Sequence, residues 1–237
     1  MSTPFLTAQW RSLAMLNYEI DPAILKPFVP RGTKLDLWEG SAFASVIGFL
    51  FLDTRILGAA IPLHTNFEEV NLRFYVRRKA KDGWRRGVTF LREIVPRRAI
   101  ALVANTLYNE RYVALPMRHD VELNAPAGHA EYSWRFGGEW NRLRVESSGD
   151  WQALKSDSLE EFITEHYWGY TTQRDGGCME YRVEHPRWRV KPTTSAHFEA
   201  DVSRLYGAAF APFLNVAPAS AFVADGSTVA VYRGVRL

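Results

Sequence analysis

FEEVNLRFYV, residues Phe67 to Val76, decides how the rest of the chain is read. Taken two residues at a time it has two faces. Val70, Leu72, Phe74 and Val76 make an apolar row, the mark of a strand laid against a core. Glu69, Asn71, Arg73 and Tyr75 make an unbroken polar row on the other side. Alone, such a row reads as a solvent face. In its second reading, a carboxylate, an amide, a guanidinium and a phenol line a polar pocket inside a barrel or cone of strands. The flanking sequence has to separate the two.

Strands surround this segment on both sides. Gln9 to Tyr18 reads as a first strand, and Asp21-Pro22 starts a short helix that closes at Pro30. Thr33 to Trp38 and the long apolar run Ser41 to Leu52 are strands joined at Glu39-Gly40, the second apolar enough to be covered on both faces. Asp53 to Asn66 is a long connection leading into the organising strand. Asp82-Gly83 turns the chain back through Gly87 to Val95, with a basic cluster around the turn that suits a solvated hairpin tip. Between Pro96 and Glu110 the period changes. Ile100, Val103, Ala104, Leu107 and Tyr108 fall on one helical face. Strands follow at Ala130 to Phe136 and Trp140 to Glu146, and Ser158 with Glu161 opens a helix running through Trp168. The chain ends in strands at Met179 to Glu184 and Thr193 to Glu199, a short helix around Val202 to Tyr206, and a hairpin of Ala219 to Val223 and Thr228 to Val235 turned at Asp225-Gly226. The sum is an α+β, mainly antiparallel β domain spanning residues 1–237, with three or four peripheral helices. So many strands favour closure, and closure turns some polar row inward.

The composition bounds the function. With 47% hydrophobic and 14% aromatic residues among 237, a sizeable core is available and disorder is excluded. Six lysines stand against 23 arginines, for a net charge of +3. Arginine suits bidentate contact with carboxylates, but an excess this small does not point to nucleic acid. Cys178 is the single cysteine, which excludes an intrachain disulfide and a cysteine-rich metal site. No secretory signal is evident, and the most apolar window, Ser41 to Leu52, is too short to span a bilayer. The expectation is a cytoplasmic protein with a small-molecule ligand, no membrane association and no cofactor; a homo-oligomer is compatible with these totals.

Several chemistries lack their motifs. There is no G-x-S-x-G elbow and no glycine-rich phosphate loop. The six histidines show no H-x-x-x-H or H-x-H spacing, so no local motif supports a metal site. What remains is the row Glu69, Asn71, Arg73, Tyr75; Arg11 in the first strand; the segment Leu115-Pro116-Met117-Arg118-His119; and His185-Pro186-Arg187-Trp188.

These pieces, in this order and spacing, resemble the uncharacterised YqjF-like family of the acetoacetate decarboxylase-like superfamily. Trp10-Arg11, Leu25 to Pro30, residues 67 to 76, Gly87-Val88 with Phe90, Leu115-Pro116, Leu159-Glu160-x-Phe162-x-Thr164-x-x-Tyr167 and His185-x-x-Trp188 carry the likeness. The resemblance implies an acetoacetate decarboxylase-like β-cone or barrel around a closed pocket, which supports the inward reading of the polar row. Carried over, Arg11 matches the first-strand arginine of the decarboxylases and Glu69 a strand glutamate. Met117 falls where the Schiff-base lysine stands and Arg118 where its basic neighbour stands. Methionine cannot form an imine, so the lysine mechanism is not expected here.

Three readings follow. In the first, Arg11 or Arg73 holds a small carboxylate or carbonyl compound, with Asn71, Tyr75, Met117 and Arg118 also framing the pocket. In the second, Glu69 is the acid/base of an enzyme without a covalent lysine, and an arginine stabilises the oxyanion. In the third, Glu69 and Arg73 are only an internal ion pair. A pocket packed with aromatics favours the third, converging arginines with a paired Glu69 the first, and an open pocket with a desolvated Glu69 the second.

Overall fold

The organising strand has no solvent face. In the computed structural model, which describes residues 3–107 and 109–237, Val70, Leu72, Phe74 and Val76 are fully buried, and Glu69, Asn71, Arg73 and Tyr75 are buried as well. The strands around it explain why. In chain order they are β1 (Leu6–Ile20), β2 (Lys34–Leu35), β3 (Ala42–Ile56), β4 (Ala59–Ala60), β5 (Phe67–Ala80), β6 (Gly83–Val95), β7 (Tyr112–Ala114), β8 (Met117–Glu122), β9 (Gly128–Phe136), β10 (Glu139–Ser147), β11 (Gln152–Ala153), β12 (Trp168–Thr172), β13 (Cys178–Glu184), β14 (Arg189–Glu199), β15 (Ser220–Val231) and β16 (Val235–Arg236). Among the described residues five α-helices punctuate them: α1 (Pro22–Leu25), α2 (Arg98–Leu107), α3 (Leu159–Thr164), α4 (Val202–Leu205) and α5 (Ala211–Leu214). Three of the five are single turns of four residues, against the three or four peripheral helices read from the sequence.

The long strands run β13-β12-β6-β5-β3-β1-β15, and β15 pairs again with β13 through Val183 and Val231. The strands therefore close a ring. Its pairings are antiparallel except β12 with β6. Strand β14 leaves the ring. Val190 to Pro192 pair with β15, whereas Thr193 to Glu199 pair with β10 and carry β10, β9 and β8 into an outer layer.

Two cores result, one on each face of the ring. Along β3, Ala42, Ala44 and Val46 join the outer core, and Phe43, Ile47, Phe49 and Phe51 the inner one. This is strand alternation with both faces dry, as the apolar run suggested. The outer core packs the Val70–Val76 row against Tyr132, Trp134, Leu143 and Val145 of the outer layer. Fully burying an aliphatic side chain contributes roughly 1.5–3 kcal/mol, so this row anchors β5 and fixes which face the polar row takes.

Several boundaries differ from the sequence reading. The segment Thr33 to Trp38 keeps only the two-residue β2, and β3 runs on to Ile56 before turning back through β4. The expected helix through Trp168 ends at Thr164. Ser158 caps its start, with Oγ 3.2 Å from the Glu161 amide, but Glu165 leaves helical geometry. The residues beyond, Trp168-Gly169-Tyr170-Thr171-Thr172, are aromatic and β-branched and pair between β6 and β13. Strand β8 falls in a stretch to which the sequence reading assigned no element. Asp225-Gly226 is no hairpin turn, because β15 passes straight through it alongside β1. Gly226 has φ +75, and a Cβ there would stand 2.0 Å from the Trp10 carbonyl oxygen. The glycine marks a close backbone approach within one strand. Helix α2 lies where the period changed, with Ile100, Val103 and Ala104 facing the ring interior described below; Tyr108 lies outside the described residues.

Candidate functional site

A cavity of about 260 Å³ occupies the inside of the ring. Phe49, Phe51, Phe67, Phe90, Trp10 and Trp188 supply much of its apolar wall, and α2 adds Ile100, Val103 and Ala104. The indole of Trp188 donates to Ser227 Oγ at 2.9 Å, and its ring stacks on His185 at 4.3 Å. His185 and Trp188 both line the cavity.

The polar wall begins with β5. Glu69, Asn71 and Arg73 face inward and line the cavity. Asn71 Nδ2 donates to Glu69 Oε1 at 2.9 Å, and the Tyr112 hydroxyl donates to Glu69 Oε2 at 3.1 Å. Glu93 and Glu110 stand beside Glu69. Glu110 Oε1 accepts from the Thr171 hydroxyl at 2.5 Å and the Tyr181 hydroxyl at 3.2 Å. Tyr181 reaches across because its pair partner is Gly169, where a Cβ would meet the phenol ring at 2.0 Å. Burial raises the Glu69 carboxyl to about 7, against the opposing hydrogen bonds from Asn71 and Tyr112 and the charge of Arg73. Burial likewise raises Glu110 to about 7. Glu93 is pushed well up by burial and by the neighbouring Glu110 and Glu69. Three carboxyls thus share a dry corner in which near-neutral pH leaves protons on some of them.

Sequence alternation alone hides Glu93. Val88 and Phe90 point inward, so Thr89, Leu91 and Glu93 should point outward. A bulge between the Leu72–Arg92 and Arg73–Phe90 pairs shifts the phase, and Glu93 turns in. Glu110 and Tyr112 were hidden differently. They follow α2, and β7 places them by pairing with β6 at Glu93.

The same kind of irregularity takes Arg11 out. Ser12 adopts φ 58, the register with β3 shifts between Arg11 and Ala14, and both Trp10 and Leu13 line the cavity. Arg11 then faces the other side, bonded to the Gly226 carbonyl at 3.1 Å and Gln9 Oε1 at 2.7 Å. Tyr75 points inward but below the cavity, its hydroxyl 2.6 Å from Ser45 Oγ and its ring against Phe162 of α3. Met117 packs in the outer core, and Arg118 lies over the Trp140 ring at 4.2 Å. Among the described residues no lysine lines the cavity, and no group of His, Cys, Asp or Glu is arranged to hold a metal ion. Nor is any helix of the described residues long and apolar enough to cross a membrane.

The ring of mainly antiparallel strands is a fold shared with acetoacetate decarboxylase-like proteins of known structure. Residues 7–228 match the model of DUF2071, an uncharacterised conserved protein family, and the chain belongs to that family. It is 28% identical over 195 residues to the uncharacterised protein YqjF of Bacillus subtilis (strain 168), spanning 82% of this chain and 76% of that one. The crystal structure of acetoacetate decarboxylase from Legionella pneumophila superposes with a TM-score of 0.67 at 12% identity, covering 100% of this chain and 88% of its own. The enduracididine biosynthesis enzyme MppR, complexed with pyruvate, gives 0.67 at 12% identity, covering 100% and 91%. At such identities the two superpositions establish the fold.

Proposed function

We propose that the cavity holds a small carbonyl or carboxylate compound with an apolar body, and that Glu69 moves a proton on it without a covalent lysine. The observation that carries this reading is the state of Glu69. It is desolvated on the wall of an open cavity, held by Asn71 and Tyr112, and raised to about 7. A carboxyl raised into this range can both take and return a proton near neutral pH, the condition for efficient general acid–base work. Arg73 lines the same wall and supplies a fixed positive charge. Arg11, Met117 and Arg118 take no part, because they face away from the cavity.

The chemistry most suited to this arrangement is proton exchange next to a carbonyl. Ionised Glu69 takes a proton from the α-carbon, the C–H electron pair forms the carbon–carbon double bond, and the carbonyl π pair moves onto the oxygen. Glu93 Oε2 is buried without a protein partner, and with its proton retained it donates a hydrogen bond to that oxygen. A protonated carboxyl in a dry site can stabilise an enolate in this way. Glu69 then returns its proton to the carbon. Acetoacetate decarboxylase and the pyruvate-bound MppR, which share this fold, have names that point to the same class of compound.

The test is deuterium incorporation into 2-oxo acids and aryl ketones in heavy water, followed by proton NMR. Wild-type protein should exchange the α-position of at least one compound above buffer. Glu69→Gln should lower that rate by about 100-fold or more. No exchange in the wild type, or equal exchange in the variant, overturns the reading.

A further inference from the structure

His166 is a buried titratable group on the cavity wall that the proton transfer above does not use. Its side chain is 1% exposed, and its Nε2 lies 3.2 Å from Asp36 Oδ2. Asp36 in turn is held by Arg86 at 2.6 Å and Arg77 at 3.6 Å. Burial pushes the Asp36 carboxyl up, but the hydrogen bonds from His166 and Arg86 outweigh it and keep the group below its ordinary range. Asp36 is therefore an anion and only accepts. The ring proton of His166 must sit on Nε2, which leaves the lone pair on Nδ1. Burial, followed by the charges of Arg86 and Arg73, lowers the imidazole to about 4 although Asp36 opposes it, so the ring is neutral.

Nδ1 is thus an acceptor of fixed orientation, and it is buried without a donor. Arg73 offers the converse. Its Nε–H is buried without an acceptor, while Nη2 reaches the Ile163 carbonyl at 3.4 Å. The two residues share the Tyr75 ring, with His166 4.7 Å from its centroid and the Arg73 guanidinium 5.7 Å from it. Both line the cavity. Buried polar groups are nearly always paired, so a neighbouring acceptor and cationic donor on one wall describe the shape of what they bind.

We infer that the cavity selects a carboxylate with a hydroxyl on the neighbouring carbon: the carboxylate lies on Arg73, and the hydroxyl donates to His166 Nδ1. The inference deepens the proposed function and rests on it in taking this cavity as the substrate site. The ligand's apolar body extends along the aromatic wall. Asp36 does not touch the ligand; it is a positioning residue that fixes the tautomer.

Isothermal titration calorimetry at pH 7.5 with 2-hydroxy-3-phenylpropanoate and 3-phenylpropanoate tests this directly. The hydroxy acid should bind the wild type about tenfold tighter, as one hydrogen bond to an otherwise unpaired buried acceptor implies. His166→Gln keeps an amide near Asp36 but removes the acceptor at Nδ1. It should erase the hydroxyl advantage and leave affinity for the deoxy acid unchanged. Arg73→Gln should weaken both acids. Equal affinity of the wild type for the two acids overturns the inference, as does failure of both to bind. Neither result bears on deuterium exchange by Glu69. If hydroxyl discrimination is found but exchange is not, the inference stands and the proton-transfer reading fails. The wild-type comparison needs no variant, so poor folding of His166→Gln leaves it intact.

Discussion

Strand β5 carries two opposite treatments of a buried carboxyl. Toward its end, Arg78 donates to Glu180 at 2.7 and 3.0 Å, and Arg85 joins from β6. Burial raises the Glu180 carboxyl, but Arg78, Tyr170 and Arg85 overcome it and hold it below its usual range. Nine residues before Arg78 on the same strand, Glu69 is also buried, yet its hydrogen bonds come from an amide and a phenol, and its neighbours include two more carboxyls. It is raised to about 7. Burial acts in the same direction on both. The difference is a guanidinium at hydrogen-bonding distance, which turns one carboxyl into a fixed anion that ties strands together and leaves the other free to gain and lose a proton.

The largest effect separating the two corners is on turnover. Glu69→Gln should cut α-proton exchange by about 100-fold or more, whereas Glu180→Gln should leave exchange within about twofold, since its side-chain partners Arg78, Arg85 and Tyr170 do not line the cavity. Equal losses would erase the distinction.

Next in size is the pH dependence of stability. Below about pH 4.5 Glu69 is protonated in both the folded and unfolded chains. Between about 4.5 and 7 the unfolded chain ionises while the folded one keeps its proton, so stability falls as pH rises. The shift corresponds to about 3 kcal/mol at most. His166 works the other way. Its folded value of about 4 lies below the ordinary 6.5, so its contribution is lost as pH falls between those values. In chemical denaturation across pH 4–8, the stability of wild type relative to Glu69→Gln should fall as pH rises from about 4.5 to 7. A difference that stays constant with pH would mean that Glu69 is not protonated in the folded protein.

Glu180→Gln should cost about 2–3 kcal/mol in the same measurement at pH 7, because two arginines lose their anion. A cost below about 0.5 kcal/mol would demote that cluster to surface decoration. The smallest effect is expected at Arg118, exposed over Trp140: Arg118→Ala should change stability by less than about 1 kcal/mol and ligand affinity not at all. A marked loss of affinity would bring that residue back to the cavity.

Much of this was legible without coordinates. The two faces of Phe67 to Val76 gave the strand, its apolar row gave the core side, and the strand count gave closure. Three of the four polar-row residues, Glu69, Asn71 and Arg73, do line the cavity. The fourth, Tyr75, sits lower because α3 fills the ring there. The rest of the site was not legible for a common reason. Period-two reading assumes an unbroken strand, and β1 and β6 are each broken once. The bulge in β6 inverts the phase beyond it and turns Glu93 inward; Arg11, expected in the pocket from the resemblance, faces away beside the inward Trp10. Glu110, Tyr112, Tyr181 and the Asp36–His166 pair come from segments far apart in the chain, and only the ring brings them together.

By itself the sequence determined which residue types could form a dry, part-polar interior, because burial preference and alternation are local properties of the chain. The tertiary structure decided which carboxyls meet a cation and which meet one another. That choice depends on strand register, which long-range pairing sets, and a carboxyl's charge state depends on neighbours within a few ångströms.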